Sequence, residues 1–156
     1  MKQLTLTIPP DVHKSLAAAA KDRGIELHPE QALLVVSPNG LFANSAVSGA
    51  GDLTETQLKA GANLLFTYFH LPAEASTARL PTGFYLIRVR LSEDLKSGDA
   101  QFLDKSGTVV KSVPLEVTTH PIAAPAISLS GSFSRCHVSG DITIRGIQIT
   151  VTIRWC

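Results

Sequence analysis

The sequence predicts a mainly β protein: antiparallel sheets packed as a β-sandwich, with one N-terminal helix. Three stretches carry that expectation. In Ala126–Ser134, Ile127, Leu129 and Phe133 alternate with Ser128, Ser130, Ser132 and Ser134. In Ile147–Trp155, Ile147, Ile149, Val151, Ile153 and Trp155 alternate with Gln148, Thr150, Thr152 and Arg154. In Phe84–Leu91, Tyr85, Ile87, Val89 and Leu91 share one face, and Arg88 and Arg90 the other. Successive Cβ atoms of a strand point to opposite faces, so a period of two sets one group against a core and the other in water. The 156 residues are read as one domain, with the strand and helix of 1–25 either part of it or an appendage.

The elements follow in order. Gln3–Ile8 alternates Thr5 and Thr7 with Leu4, Leu6 and Ile8 and reads as a short strand. Pro9-Pro10-Asp11 opens a helix, since Pro suits the first helical position and Asp the N-terminal dipole. Val12, Leu16, Ala19, Ala20 and Arg23 keep helical spacing, and Gly24 suits the position after the end, so the helix is predicted over Asp11–Arg23. Gln31–Val36 is an apolar run closed by Pro38-Asn39-Gly40 and resumed at Leu41-Phe42, the pattern of a hairpin. Ser45–Asp52, small and glycine-rich, reads as a loop, and Thr54–Ala60 as the start of a helix. Asn63–Leu71 fits either state; Gly61 interrupts the helical reading and the aromatic, β-branched content favours a strand. Pro72–Thr82 is a loop. Gln101–Asp104 and Thr108–Val117 form a hairpin turned by Lys105-Ser106-Gly107, and Pro114 marks its second strand as an edge strand or a bulge. His120–Pro125 links to the C-terminal sheet.

At Gly146 the alternation changes parity: Ile142 and Ile144 are even, Ile147 through Trp155 odd. The chain must turn or bulge there, because a one-residue slip flips every side chain. Two layouts follow. One is a meander of Phe133–Val138, Ile142–Arg145 and Ile147–Cys156; the other is one bulged strand, Asp141–Cys156, turning at Ser139-Gly140. The meander holds its outer strands about 9.6 Å apart, beyond the roughly 7 Å that a disulfide spans. The bulged strand also separates Cys136 from Cys156. Both favour free thiols, which point to a reducing compartment. Ile147–Trp155 carries one charge, Arg154, so it is expected to be hydrogen-bonded on both sides, within the sheet or across a dimer.

Leu80-Pro81-Thr82-Gly83-Phe84-Tyr85-Leu86-Ile87-Arg88-Val89-Arg90, with the hairpin of Phe102–Val110, resembles bacterial immunoglobulin-like and carboxypeptidase-regulatory-like β-sandwich modules, which often carry L-P-x-G-x-Y-x-L-x-V. The resemblance spans Asn63–Val117. It implies a fold and leaves function open. The Cys…Trp…Cys pattern of immunoglobulin domains is absent: Trp155 adjoins Cys156.

Charged residues make up 17% of the chain, below the roughly 25% of an average soluble domain. With a net charge of +1 and a pI near 7.8, nothing in the totals suggests a phosphate-binding protein. No stretch approaches the roughly 20 apolar residues of a membrane span. Met1–Ile8 reads as a strand and not as the apolar core of a leader. The compartment is cytoplasmic if Met1 is the native start, and periplasmic or secreted if a leader has been removed.

Chemistry is sparse. His13, His28, His70, His120 and His137 stand apart, so no local metal motif exists, and no cofactor is expected. His137 beside Cys136 reads more simply as a strand histidine than as half of a metal site. There is no G-x-S-x-G, and Gly49-Ala50-Gly51 lacks the Lys-Ser/Thr that holds phosphate. Asp52, Glu55, Glu93, Asp94 and Asp99 are scattered near loops. No catalytic residue is assigned, and no enzyme is expected. The leading expectation is a non-catalytic interaction or structural module. It binds a protein partner, or itself through a strand edge, on a surface including Ser130, Ser132, Thr150, Thr152 and Arg154. A second expectation is a nucleic-acid-associated protein. Strand, Pro-Pro-Asp, helix and Gly resemble half of a ribbon-helix-helix unit, with Gln3, Thr5 and Thr7 facing the groove, but Glu30–Val36 is too short for its second helix. A third is carbohydrate binding by the Ser/Thr face; such a face is more simply the solvated side of a sheet, and few aromatic residues are free to stack on a sugar.

Overall fold

The computed structural model describes residues 4–7, 10–37, 40–71, 75, 80–119, 127–133, 137–144 and 146–155. The chain is mainly β, as expected. Its strands are β1 (Leu4–Thr7), β2 (Leu27–Ser37), β3 (Gly40–Val47), β4 (Ala62–His70), β5 (Gly83–Leu91), β6 (Ser97–Leu103), β7 (Val109–Thr119), β8 (Ile127–Phe133), β9 (His137–Ile144) and β10 (Ile147–Arg154). Two α-helices accompany them, α1 (Pro10–Lys21) and the short α2 (Glu55–Ala60). All ten strands join one antiparallel sheet in the order β1-β2-β3-β4-β5-β6-β7-β10-β9-β8. The sheet curls until β8 lies against β2, giving a nearly closed barrel. This shape differs from the two packed sheets of the expected sandwich.

Alternation builds the interior. Tyr85, Ile87, Val89 and Leu91 are buried there and Arg88 and Arg90 are exposed on the outside, as the period of two requires. Phe42, Phe69, Tyr85 and Phe102 form an aromatic group inside; the rings of Phe42 and Phe69 stack 4.9 Å apart and that of Phe102 tilts against Phe69 at 5.8 Å. Val138, Ile142, Ile144, Ile149, Val151, Ile153 and Trp155 complete the same core from β9 and β10. Helix α2 closes one end: Thr54 and Gln57 form a reciprocal capping box, and Leu58 is fully buried in the interior cluster. At its far end the chain passes through Gly61 with φ 107°, a backbone state that a side chain would strain, and continues as β4. Asn63–His70 is therefore strand, and Leu71 lies just past its end.

A second cluster lies outside the barrel. Leu16 and Ala20 of α1 bury against Ala43, Phe66, Leu86 and Leu103 of β3–β6. Just beyond the helix, the Arg23 guanidinium lies 5.3 Å from the centre of the Phe66 ring and donates to the Phe84 carbonyl at 3.1 Å. Burial pushes that guanidinium below its ordinary value, against the opposing effect of Asp104 and Tyr85. The middle strands are thus covered on both faces.

Three expectations need correction, and one is met. Ser45–Val47 is strand, because its small residues fit a doubly covered part of the sheet. The hairpin expected of Gln31–Val36 and Leu41-Phe42 is β2 paired with β3, and with β2 also paired to β1 no second helix of a ribbon-helix-helix unit forms, in line with the sequence reading. Neither C-terminal layout holds. Residues 137–144 run as one strand through Ser139-Gly140, and Ile144 pairs with Ile147, so the change of parity at Gly146 marks a turn between two strands. Finally, β7 pairs with both β6 and β10, so the strand carrying Pro114 is not an edge. Cys136 and Cys156 lie outside the described residues, and so does the question of their pairing.

Candidate interaction site

The five residues singled out from the sequence share the outer face of β8, β9 and β10. Ser130 faces Asp141, which faces Thr150. The Asp141 carboxylate accepts the Ser130 hydroxyl at 3.1 Å through one oxygen and the Thr150 hydroxyl through the other. One row along, the hydroxyls of Ser132 and Ser139 are 2.9 Å apart, and Ser139 faces Thr152. Arg154 faces His137 at the strand end. The hydroxyls of Ser130, Ser132, Ser139 and Thr150 are therefore spent on one another and on a carboxylate, which orders this face. Among the residues whose side chains are described no aromatic is exposed, so none of them offers this face a stacking platform for a sugar.

Thr150, Thr152 and Arg154 also border an opening that the sequence reading did not place. The β7–β10 ladder runs from Thr119↔Ile147 to Leu115↔Val151 and stops, while β10 stays paired with β9 through Arg154↔His137. Beyond that point no pairing of the two strands continues among the described residues, and a groove of about 280 Å³ lies along them. Its outer lining is Pro114, Glu116, Thr150, Thr152 and Arg154. From the core side come Lys111, Val113 and Leu115.

Pro114 explains where the ladder stops. In a two-residue hairpin the flanking pair, Ile144 and Ile147, exchanges both backbone bonds. Odd residues of β10 thus turn their backbone groups to β9, and Gln148, Thr150, Thr152 and Arg154 turn theirs toward β7. The register sets Thr118 opposite Gln148 and Glu116 opposite Thr150. Pro114 comes next, opposite Thr152, and it has no N–H to return. The expectation of full bonding on both sides of β10 is met over Ile147–Val151 and fails from Thr152 on. On the β6 side Pro114 stays in register with Asp99, where the alternation asks it for no donor.

Elsewhere little converges. Among the described residues, no group of three or more His, Cys, Asp or Glu side chains is placed to hold a metal ion. Arg88 and Arg90 edge a groove of about 270 Å³ that already contains Asp99. No helix among the described residues is long and apolar enough to cross a membrane. The missed residues of the site, Lys111, Glu116, Ser139 and Asp141, carried no local signal: each becomes relevant only through register. Pro114 did carry one, a missing donor within a strand. Compared with known proteins, the chain matches no family model, no curated protein and no solved structure.

Proposed function

We propose that the chain is a non-catalytic interaction module that takes an extended segment of a partner protein as an added strand in the fork between β7 and β10. The observation that carries this reading is the ladder ending at Leu115↔Val151 beside Pro114. Past that point the same alternation turns the backbone groups of Arg154 on one side and Ser112 on the other into the gap, with no pairing between them among the described residues. Bare edges of this kind recruit strands, and main-chain bonds supply affinity while side-chain contacts supply selectivity. Val109 and Val110, 42% and 40% exposed, begin β7 at the open end of the fork and offer apolar contact there. Backbone bonds at about 1 kcal/mol each net do not by themselves outweigh association costs of at least about 4 kcal/mol. Side chains along the groove must therefore contribute.

The test is selection of extended heptapeptides from a displayed library against the whole protein, followed by amide exchange on the complexes. The reading expects one peptide per chain and slowed exchange at Arg154 and Ser112. Selected peptides that leave both amides unchanged contradict it.

A further inference from the structure

We infer that the strand accepted by the fork carries a carboxylate side chain, seated against Arg154 where the groove opens; this rests on the strand-addition reading above. Charge along the groove is ordered. Glu116 stands at its closed end, opposite Thr150. Arg154 lies four residues further along β10, about 13 Å at strand rise, and Lys111 lies five residues back along β7 from Glu116. An incoming acid is repelled at the Glu116 end and attracted at the other. Arg154 is exposed and has no ion pair among the described residues. Its planar guanidinium matches a carboxylate with two parallel donors.

The occupant is another protein and not a second copy of this chain. The two edges of the sheet are β1, Leu4–Thr7, and β8, Ile127–Phe133. Their sequences, LTLT and ISLSGSF, contain no Asp or Glu, so neither edge brings the acid that Arg154 would meet. The partner segment that fits is extended, apolar or β-branched at alternate positions, and acidic at the position that passes Arg154.

The experiment titrates the whole protein with three end-blocked peptides, STVEVTS, STVQVTS and STVKVTS. It follows the fluorescence of Trp155, the one tryptophan, next to Arg154. Amide exchange at Arg154 and Ser112 reports where each peptide sits. The glutamate peptide is expected to bind at least tenfold more tightly than the lysine peptide at low salt, with the gap shrinking as salt rises. In Arg154→Glu the preference should reverse, and in Arg154→Gln it should disappear. Equal binding of all three peptides with slowed exchange at Arg154 overturns the carboxylate inference and leaves strand addition standing. Binding of none overturns both. A dimer in solution that protects Arg154 and Ser112 without any peptide overturns the choice of a foreign partner.

Discussion

Continued one position past its last paired residues, Leu115 and Val151, the β7–β10 register sets Pro114 of β7 against Thr152 of β10. A donor is needed there and proline has none, so the sheet opens at a point dictated by one residue type. Pro114→Thr supplies the N–H. The restored bond contributes about 0.5–1.5 kcal/mol net, and the freer unfolded chain costs about 0.4–1 kcal/mol. Stability should therefore hardly change, while peptide binding in the fork falls at least tenfold as the ladder extends toward Arg154. Undiminished binding by a well-folded Pro114→Thr variant means that the open ladder is not the binding feature.

Gly140 supports the curl of the sheet. A Cβ on this β9 residue would sit 2.9 Å from Cζ of Phe42 on β3, a strand far from β9 in sheet order. The two meet only because the sheet bends round on itself. Gly140→Ala should cost about 1–3 kcal/mol, as overpacking does. Adding Phe42→Leu to that variant should recover part of the loss, although Phe42→Leu alone destabilises. Denaturant titration of the four proteins reads the coupling; additive losses would mean the two residues are not in contact.

Asn44 lies on the interior face of β3, fully buried, with neither its Nδ2 nor its Oδ1 hydrogen-bonded. An amide desolvated without partners costs about 1–3 kcal/mol. Asn44→Val removes the amide and suits a strand, so it should stabilise the protein by about that amount in the same titration. A loss of stability would show that the amide has a partner in solution.

Asp104 organises the β6–β7 turn. Its carboxylate accepts the Ser106 hydroxyl at 2.7 Å and the amides of Ser106 and Thr108 at 2.9 and 3.0 Å. The Ser106 hydroxyl, then the Thr108 amide, hold it below its ordinary value of 3.8. A depressed acid contributes stability that is fully present above the unfolded value and is lost as pH falls through the lower folded value. Unfolding followed from pH 6 downward should show a loss below about pH 4 that is smaller in Asp104→Asn. The same pH profile in both proteins would remove Asp104 from that role.

Much of the fold was legible because it is written locally. Tyr85 to Leu91 fixed a strand and its faces by alternation alone, and Pro10 with Gly24 bracketed α1 to within a few residues. The hydroxyl face was legible for the same reason, since Ser130, Ser132, Thr150 and Thr152 share a parity with other outward residues. What stayed hidden depends on register between distant segments. Gly140 looks like a turn residue until Phe42 is known to lie over it. Pro114 signalled a break in pairing, but only the Glu116↔Thr150 register says which neighbour is lost. One sheet and two packed sheets give the same local alternation, so the curl was not readable from either.

The fork itself is tested most directly by amide exchange on the free protein, comparing residues of β10 and β7 that turn the same way. Gln148 and Thr150 on β10, and Glu116 and Thr118 on β7, face each other within the ladder and should exchange slowly. Arg154 and Ser112 lie beyond Pro114 and should exchange orders of magnitude faster, near the rate of loop amides. If Arg154 and Ser112 are as protected as Thr150 and Glu116 in the monomer, β7 and β10 stay zipped past Pro114 and no strand-accepting fork exists.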